Sequence, residues 1–435
     1  MRSIFKKIIS KLLEIEARLV LRKYKPRIIG ITGSVGKTST KDAVFAAISS
    51  HFHARKSEKS FNSDIGIPLT IIGLQNAWSN PLKWMANIIS GLSVILFRGD
   101  YPKWLILEIG ADRPGDISRV AKWLKPDIVV ITRFGSVPVH VEFFPSRRDL
   151  IAEKGKLVEF MKDGGNLIVN ADDEDSFAMT KLTRNKYTAY SLGGTGAVVG
   201  SHEGIYYEKN LNGQDIPAGT TFKVSYGGNC LPVIRRGVLG IQHIYPTLAA
   251  IATGLTLGIN LVEIGTSLEQ DFITPGRMRL LDGIKETYII DDSYNSSPVA
   301  LHEAIRVLGE IKIKRARKIA VLGDMLELGK YSVEEHKSAG EKVARVAKIL
   351  ITVGVRARYI AEGALNGGMN EACIFQYEDS RSAGKFLDTI IKRNDIVLIK
   401  GSQSIRMEQI VEDLMANPEE KEKLLVRQDA DWKDR

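Results

Sequence analysis

Beyond Pro26, short apolar runs alternate with stretches whose apolar residues return every three or four positions, the pattern of strands separated by helices. Arg27 to Thr32 reads as a buried strand, then a glycine-rich turn, then a helix from about Thr38 to Ser50. Further strands are predicted at Trp104 to Ile109, Asp127 to Thr132 and Asn166 to Asn170, with helices at Ile117 to Leu124 and Leu150 to Met161. Such alternation implies a mostly parallel, helix-covered sheet. Residues 185–236 depart from it: Tyr, Val and Thr runs broken by Gly-Gly and Asn-Gly turns predict antiparallel hairpins. An Ala-rich helix from Ile244 to Leu257 precedes the turn Thr274-Pro275-Gly276, which marks a domain boundary. Past that turn, strands at Thr287 to Asp291, Lys318 to Leu322, Lys348 to Val353 and Asp395 to Ile399 describe a second α/β unit. The expected organisation is a leader helix at 1–26, a central domain at 27–274, a C-terminal α/β domain at 275–417 and a charged tail at 418–435, frayed or a solvated helix.

A chain of 435 residues, 44% apolar and 26% charged, has ordinary globular usage, which excludes disordered and fibrous classes. Cys230 and Cys373 have no CxxC partner, which excludes a zinc ribbon, offers no disulfide framework and fits a reducing cytoplasm. The net charge of +10 is uneven: residues 1–27 hold nine Lys/Arg against Glu14 and Glu16, leaving +3 for the other 408 residues. The body is therefore not a nucleic-acid-binding surface. In the leader, Ile4, Phe5, Ile8, Ile9, Leu12, Leu13, Ile15 and Leu19 recur at helical spacing among lysines and arginines, a basic amphipathic helix. It has neither the apolar region nor the cleavage site of a signal peptide, and it is not the run of about 20 apolar residues that spans a bilayer. It either lies on an anionic membrane face, making the protein membrane-peripheral, or caps the body. Leu82 to Phe97 is a second apolar stretch, too short to span and predicted as a buried helix.

Gly33-Ser34-Val35-Gly36-Lys37-Thr38 lies at a strand–helix junction, where backbone N–H groups and the helix dipole favour an anion. Lys37 suits the β- and γ-phosphates and Thr38 a magnesium ion; Ile31 holds the place of the Walker pattern's first glycine, so the match is to a shorter form. Glu108 ends one strand, His140 follows another and Lys154 lies in a helix; in an open α/β sheet such strand ends face the phosphate loop's crevice. Each also has an ordinary reading, as an ion-paired carboxylate, a satisfied loop histidine and a surface lysine.

The segments ITGSVGKTSTK, SFNSDIGIPLTIIGL, LEIGADRPGDI, HVEFF, VNADDE, PGRM, IIDDSYNSSP, VLGDMLELG and KGSQSIRMEQIV follow in order from Ile28 to Leu414. In that order and spacing they resemble the Mur ligase family, the ATP-dependent amide ligases of peptidoglycan assembly, and most closely its branch that adds D-Ala-D-Ala. The resemblance implies a P-loop ATPase domain with a mostly parallel sheet and antiparallel hairpins, followed by a Rossmann-like domain. It implies that MgATP phosphorylates a substrate carboxylate and that an amine attacks the acyl phosphate. ATP would meet Gly33 to Thr38, Ser39, Arg277, Asp292, Tyr294 and Asn295; Thr38 and Glu108 would hold one Mg²⁺, and His140 with a carbamylated Lys154 a second. Lys37, His140 and Lys154 would be catalytic. Ser60, Phe61, Asn62 and Asp64 would touch a nucleotide-linked muramoyl peptide, and Lys400, Ser402 and Arg406 the incoming dipeptide. A cytoplasmic monomer is expected.

The chain departs from the family in four places. Arg133-Phe134-Gly135 is followed by four residues before His140, two more than usual and with Arg133 at an asparagine's place. Gly240-Ile241-Gln242-His243-Ile244-Tyr245-Pro246 stands where the family has Gly-x-His-Asn-x-x-Asn, leaving His243 open between a structural and a nucleotide-binding role, and Lys156 replaces a frequent glutamate. Only about 27 residues precede the ATPase core, where the branch has a domain that grips the UDP-sugar. The uridine end is then held differently, or the acceptor is another carboxylate. The alternatives are a Mur-like ligase with a different acid and amine, and a membrane-bound nucleotide-dependent scaffold without ligation.

Overall fold

The computed structural model describes residues 2–58, 61–77, 80–135, 143–210, 213–269, 274–314, 316–428 and 432. Two sheets carry the architecture. The first contains β1 (Arg27–Thr32), β2 (Ala54–Lys56), β3 (Trp104–Glu108), β4 (Ile128–Ile131), β5 (Asn166–Asn170), β6 (Lys186–Leu192), β7 (Val198–Lys209), β8 (Asp215–Tyr226) and β9 (Asn229–Arg236), in the order β2-β3-β1-β4-β5-β6-β7-β8-β9. The strands β1, β3, β4 and β5 are buried along nearly their whole length, which is why they read as continuous apolar runs. The parallel part extends further than the turn signals imply: β6 pairs parallel with β5 and with β7, and only β7–β8–β9 are antiparallel. Glycines at 193, 194 and 196 mark a loop that returns the chain alongside β6 rather than a hairpin, a choice that turn composition does not make.

Helices cover both faces of this sheet. On one side lie α1 (Arg2–Tyr24), α3 (Gly66–Ile72), α4 (Pro81–Leu96), α5 (Asp116–Leu124) and α6 (Arg147–Glu159). On the other, α2 (Lys37–Ser49) packs against α8 (Ile241–Thr256) and α9 (Leu261–Glu269). A short α7 (Glu174–Ala178) follows β5. The second sheet, in the order β10-β11-β15-β12-β13-β14, holds β10 (Arg279–Gly283), β11 (Thr287–Asp292), β12 (Lys318–Gly323), β13 (Ile349–Val353), β14 (Ile374–Tyr377) and β15 (Ile396–Lys400). It is parallel apart from the β10–β11 pair. The helices α10 (Pro298–Glu310), α11 (Ser332–Ala344) and α12 (Arg358–Asn366) cover one face, and α13 (Ser380–Ile390), α14 (Glu408–Leu414) and α15 (Lys421–Leu424) the other.

Two expectations change. Helix α4 forms, but only Trp84 and Gly91 are buried; a helix apolar on every side buries only the face that meets a neighbour, here α1. The tail is not frayed as far as residue 428: Leu425 and Val426 are buried, and Arg427 donates to the carbonyls of Ser293 (2.7 Å) and Tyr294 (3.2 Å) while pairing with buried Glu408. No helix among the described residues is long and apolar enough to cross a membrane.

Helix α1 is built into the body through Ile9, Leu13, Ala17 and Val20, which join the core beneath it. Glu16 shares that buried face, and a Cβ on Gly91 of α4 would collide with its carboxylate. Burial raises its pKa from 4.5 to about 7. The folded state then holds a proton that the unfolded chain has released, so stability falls as pH rises from about 4.5 through 7. Thermal melts across that window should show Glu16→Gln with a flatter pH dependence than the parent; identical slopes would place the proton elsewhere.

Candidate active site

The glycine-rich turn after β1 is held from the neighbouring strand. The amides of Ser34 and Val35 donate to the carbonyl of Arg133 (2.8 and 3.0 Å), just past β4. Gly33 takes φ 141° against Thr132, whose hydroxyl a Cβ would meet at 2.0 Å, so only glycine fits there. Gly36 caps α2 at φ 86° with no side-chain cap. Two of the loop's amides are thereby spent on Arg133, and the amides of Lys37, Thr38 and Ser39 open α2, the place in a helix where backbone N–H groups have no partner inside it and an anion is favoured.

Around this turn four predicted residues converge, Thr38, Glu108, Asn62 and Lys154. Thr38 donates its hydroxyl to Oε2 of Glu108 at 2.8 Å, and both are buried. Asn62 approaches the other carboxylate oxygen at 3.4 Å, and the Glu108 amide donates to Ser57 Oγ at 3.2 Å. Lys154, 2% exposed, reaches from α6 under the loop and donates to the Gly33 carbonyl at 2.7 Å. It is a buried lysine rather than a surface one. Burial, and then the neighbouring Lys37 charge, push its ammonium well below the ordinary lysine value, with Asp112 and Glu108 opposing. Lys37 is likewise lowered by burial, against Glu108. His140 and Ser60 lie outside the described residues. Among the described residues, no cluster of three or more His, Cys, Asp or Glu is arranged to hold a metal. The Thr38 hydroxyl and Glu108 carboxylate are nevertheless adjacent hard oxygen donors of the kind Mg²⁺ takes.

The second domain completes the cleft. Gly36, Ser39, Thr40, Arg277, Asp292 and Lys400 line one cleft, together with Arg133, Gln242, Tyr245 and Glu303. The PGRM turn and the phosphate loop thus face each other in this arrangement. Arg277 stacks on Tyr294 with its guanidinium carbon 4.0 Å from the ring centre. His243 is structural: Nε2 sits 2.7 Å from the Arg277 carbonyl, and burial pushes its pKa down to about 3, so a neutral ring donates there and holds the turn. Both amide atoms of Gln242 are buried without a partner among the described residues, which leaves them available to a polar ligand.

The residues expected to meet the two substrates are dispersed. Lys400 and Asp292 form a buried pair at 2.6 Å, and Lys400 also donates to the Asn295 carbonyl at 2.9 Å, so this lysine stands with the cleft residues. Ser402 accepts from the Leu326 amide at 2.9 Å. Arg406 binds Glu408 at 2.6 Å and the Trp432 carbonyl at 3.0 Å. Phe61 is half-buried, and Asp64 pairs with Arg119 at 3.2 Å on the side of the body near α1, where Ser10 reaches its carbonyl. Asp112, Gln242, Tyr245 and Glu303 were not singled out as site residues by sequence pattern. Asp112 could have been, since it stands four positions after Glu108 in LEIGADRPGDI; Glu303 could not, because a single glutamate within a helix carries no local signal.

Residues 31–254 match the Mur ligase middle domain, and residues 276–403 match the domain described as Mur ligase, glutamate ligase domain. The UDP-N-acetylmuramoyl-tripeptide–D-alanyl-D-alanine ligase of Bacillus subtilis is 27% identical over 408 residues, covering 92% of this chain and 79% of its own. Among solved structures, MurF from Thermotoga maritima in complex with ADP superposes with a TM-score of 0.74 at 24% identity, over 95% of this chain and 84% of its own. MurF from Acinetobacter baumannii gives 0.74 at 22% identity, over 92% and 79%. These two likenesses speak to the fold.

Proposed function

This chain belongs to the Mur ligase family, and we propose that it is an ATP-dependent amide ligase of peptidoglycan precursor synthesis that joins D-Ala-D-Ala to the tripeptide carboxylate of a UDP-muramoyl acceptor. The observation that carries the reading is the single cleft in which the phosphate loop of the first domain faces Arg277 and the Asp292–Lys400 pair of the second. The B. subtilis relative bears that activity in its name, and the T. maritima neighbour was solved with ADP.

In this reading a carboxylate oxygen of the acceptor attacks the γ-phosphorus, the bond to the β-phosphate oxygen breaks and ADP departs. The amine of the dipeptide then attacks the acyl carbon, phosphate leaves and the nitrogen sheds a proton. Lys37 and the first amides of α2 would take the β- and γ-phosphates, and Arg277 would face the nucleotide from the other domain. Thr38 and Glu108 would hold Mg²⁺, which supplies charge stabilisation at the transferring phosphoryl group. Lys154, buried beside the loop, would as a carbamate become a carboxylate-like ligand, with His140 as its partner. The Gln242 amide suits the base or ribose of the nucleotide.

A second reading, a ligase of the same chemistry with a different acid and amine, draws on Arg406. The residue expected to fork a dipeptide carboxylate is engaged by Glu408 and Trp432. Phosphate release measured with UDP-muramoyl-tripeptide and D-Ala-D-Ala, against other acid–amine pairs, tests both. Release that requires both named substrates is expected. ATP consumption only with another pair would transfer the assignment to the second reading, and none with any pair would overturn ligation itself.

A further inference from the structure

Helix α1 buries one apolar face and presents another. With Ile9, Leu13, Ala17 and Val20 packed inward, Ile8, Leu12, Ile15 and Leu19 stand exposed at spacings of four, three and four. Helix α4, packed beside it, repeats the device: Leu82, Met85, Ile89, Leu92 and Leu96 are exposed, and Phe97 follows at the helix end. Leu96 and Phe97 are 73% and 71% exposed. The two helices are fastened to each other, since Lys23 donates to the carbonyls of Val94 (2.9 Å) and Ile95 (3.0 Å), and Tyr24 to Val94 (3.2 Å). Contiguous apolar ridges of this extent on neighbouring helices mark an interaction surface rather than scattered exposed side chains.

The exposed charges around the ridges are predominantly basic; Asp100, just past Arg98, is exposed and lies 3.5 Å from His53. Lys11, Arg18, Arg22, Lys25, Lys83 and Arg98 are exposed. Of the acidic residues in the two helices, Glu14 is paired with Lys11 and Arg18, and Glu16 is buried; α4 has none. We propose that this two-helix face docks on an anionic lipid surface, with apolar side chains entering the interfacial layer and basic ones meeting the headgroups. A second copy of the chain is the poorer occupant, because a symmetric pairing would set the same basic rim against itself.

Full-length protein is mixed with vesicles of equal parts phosphatidylglycerol and phosphatidylcholine, or of phosphatidylcholine alone, and sedimented at low and high salt. The expected result is sedimentation with the anionic vesicles at low salt, weakened by added salt and by omission of phosphatidylglycerol. Leu92→Glu/Leu96→Glu should abolish it at both salts, and Arg18→Ala/Arg22→Ala should weaken it about fivefold per arginine at low salt. All four side chains are exposed, so unchanged thermal melts and unchanged ATP turnover without vesicles are expected of both variants. Protein that stays in the supernatant at low salt, or binding that survives both variants, overturns the proposal. So does a concentration-dependent dimer lost in Leu92→Glu/Leu96→Glu without vesicle binding, which would assign the face to self-association.

Discussion

Lys37→Ala should lower ATP turnover by two to three orders of magnitude while leaving the melting temperature close to that of the parent. Lys37 opens α2 next to cleft-lining Gly36, its Nζ approaches the Ser34 carbonyl at 3.5 Å, and it is no part of the apolar cores. Removal of a pre-organised charge from a developing phosphoryl transition state costs about 3 to 4 kcal/mol. The folded state loses with it a long hydrogen bond to Ser34 and a charge that burial already disfavours, so the melting temperature changes little. Lys37→Arg should also be impaired, because a planar fork does not occupy the place of a compact ammonium. Phosphate release and a thermal melt on the same preparation separate the two quantities; full turnover in Lys37→Ala would refute the phosphate-loop assignment.

The second large effect concerns Lys154. Its side chain is buried and donates a hydrogen bond of 2.7 Å to the carbonyl of Gly33, the residue that begins the phosphate loop. Lys154→Ala should reduce ligation by about 10- to 100-fold, the scale seen when groups that position a metal site are removed. A lost structural contact and a lost carbamate are told apart by rescue. Formate or acetate, small enough to enter the vacated space, should restore part of the activity if a carboxylate-like ligand was removed, and none if only the hydrogen bond to Gly33 mattered. Intact-mass measurement of the parent under carbon dioxide provides an independent readout, and an unmodified Lys154 with full activity would dismiss the carbamate.

How far a feature could be read from the sequence depended on the distance over which it is encoded. Strands β1, β3, β4 and β5 were legible because burial on both faces requires a continuous apolar run. The phosphate loop was legible because a strand end, two glycines and Lys37-Thr38 must be contiguous to make an anion cradle. Glu108 followed from its place at a strand end, and it meets Thr38 although 70 residues separate them.

Other features were settled only by packing. Helix α1 has apolar residues on two faces, and its periodicity alone does not say whether Ile8 or Ile9 turns inward; contact with α3 and α4 decides it. The same holds for α4, where apolarity alone predicted burial and the fold left one face uncovered. Lys400 and Asp292 stand in separate motifs that the resemblance assigned to different ligands, and their pairing follows from the adjacency of β11 and β15. Arg427 and Glu408 meet because the tail folds back across the domain. Local sequence determined the helix and strand periods and the chemistry of contiguous motifs, because those depend on residues two to five positions apart. Which apolar face is covered and which charges meet were decided by the tertiary structure, because burial and pairing energies belong to side chains that sequence distance does not relate.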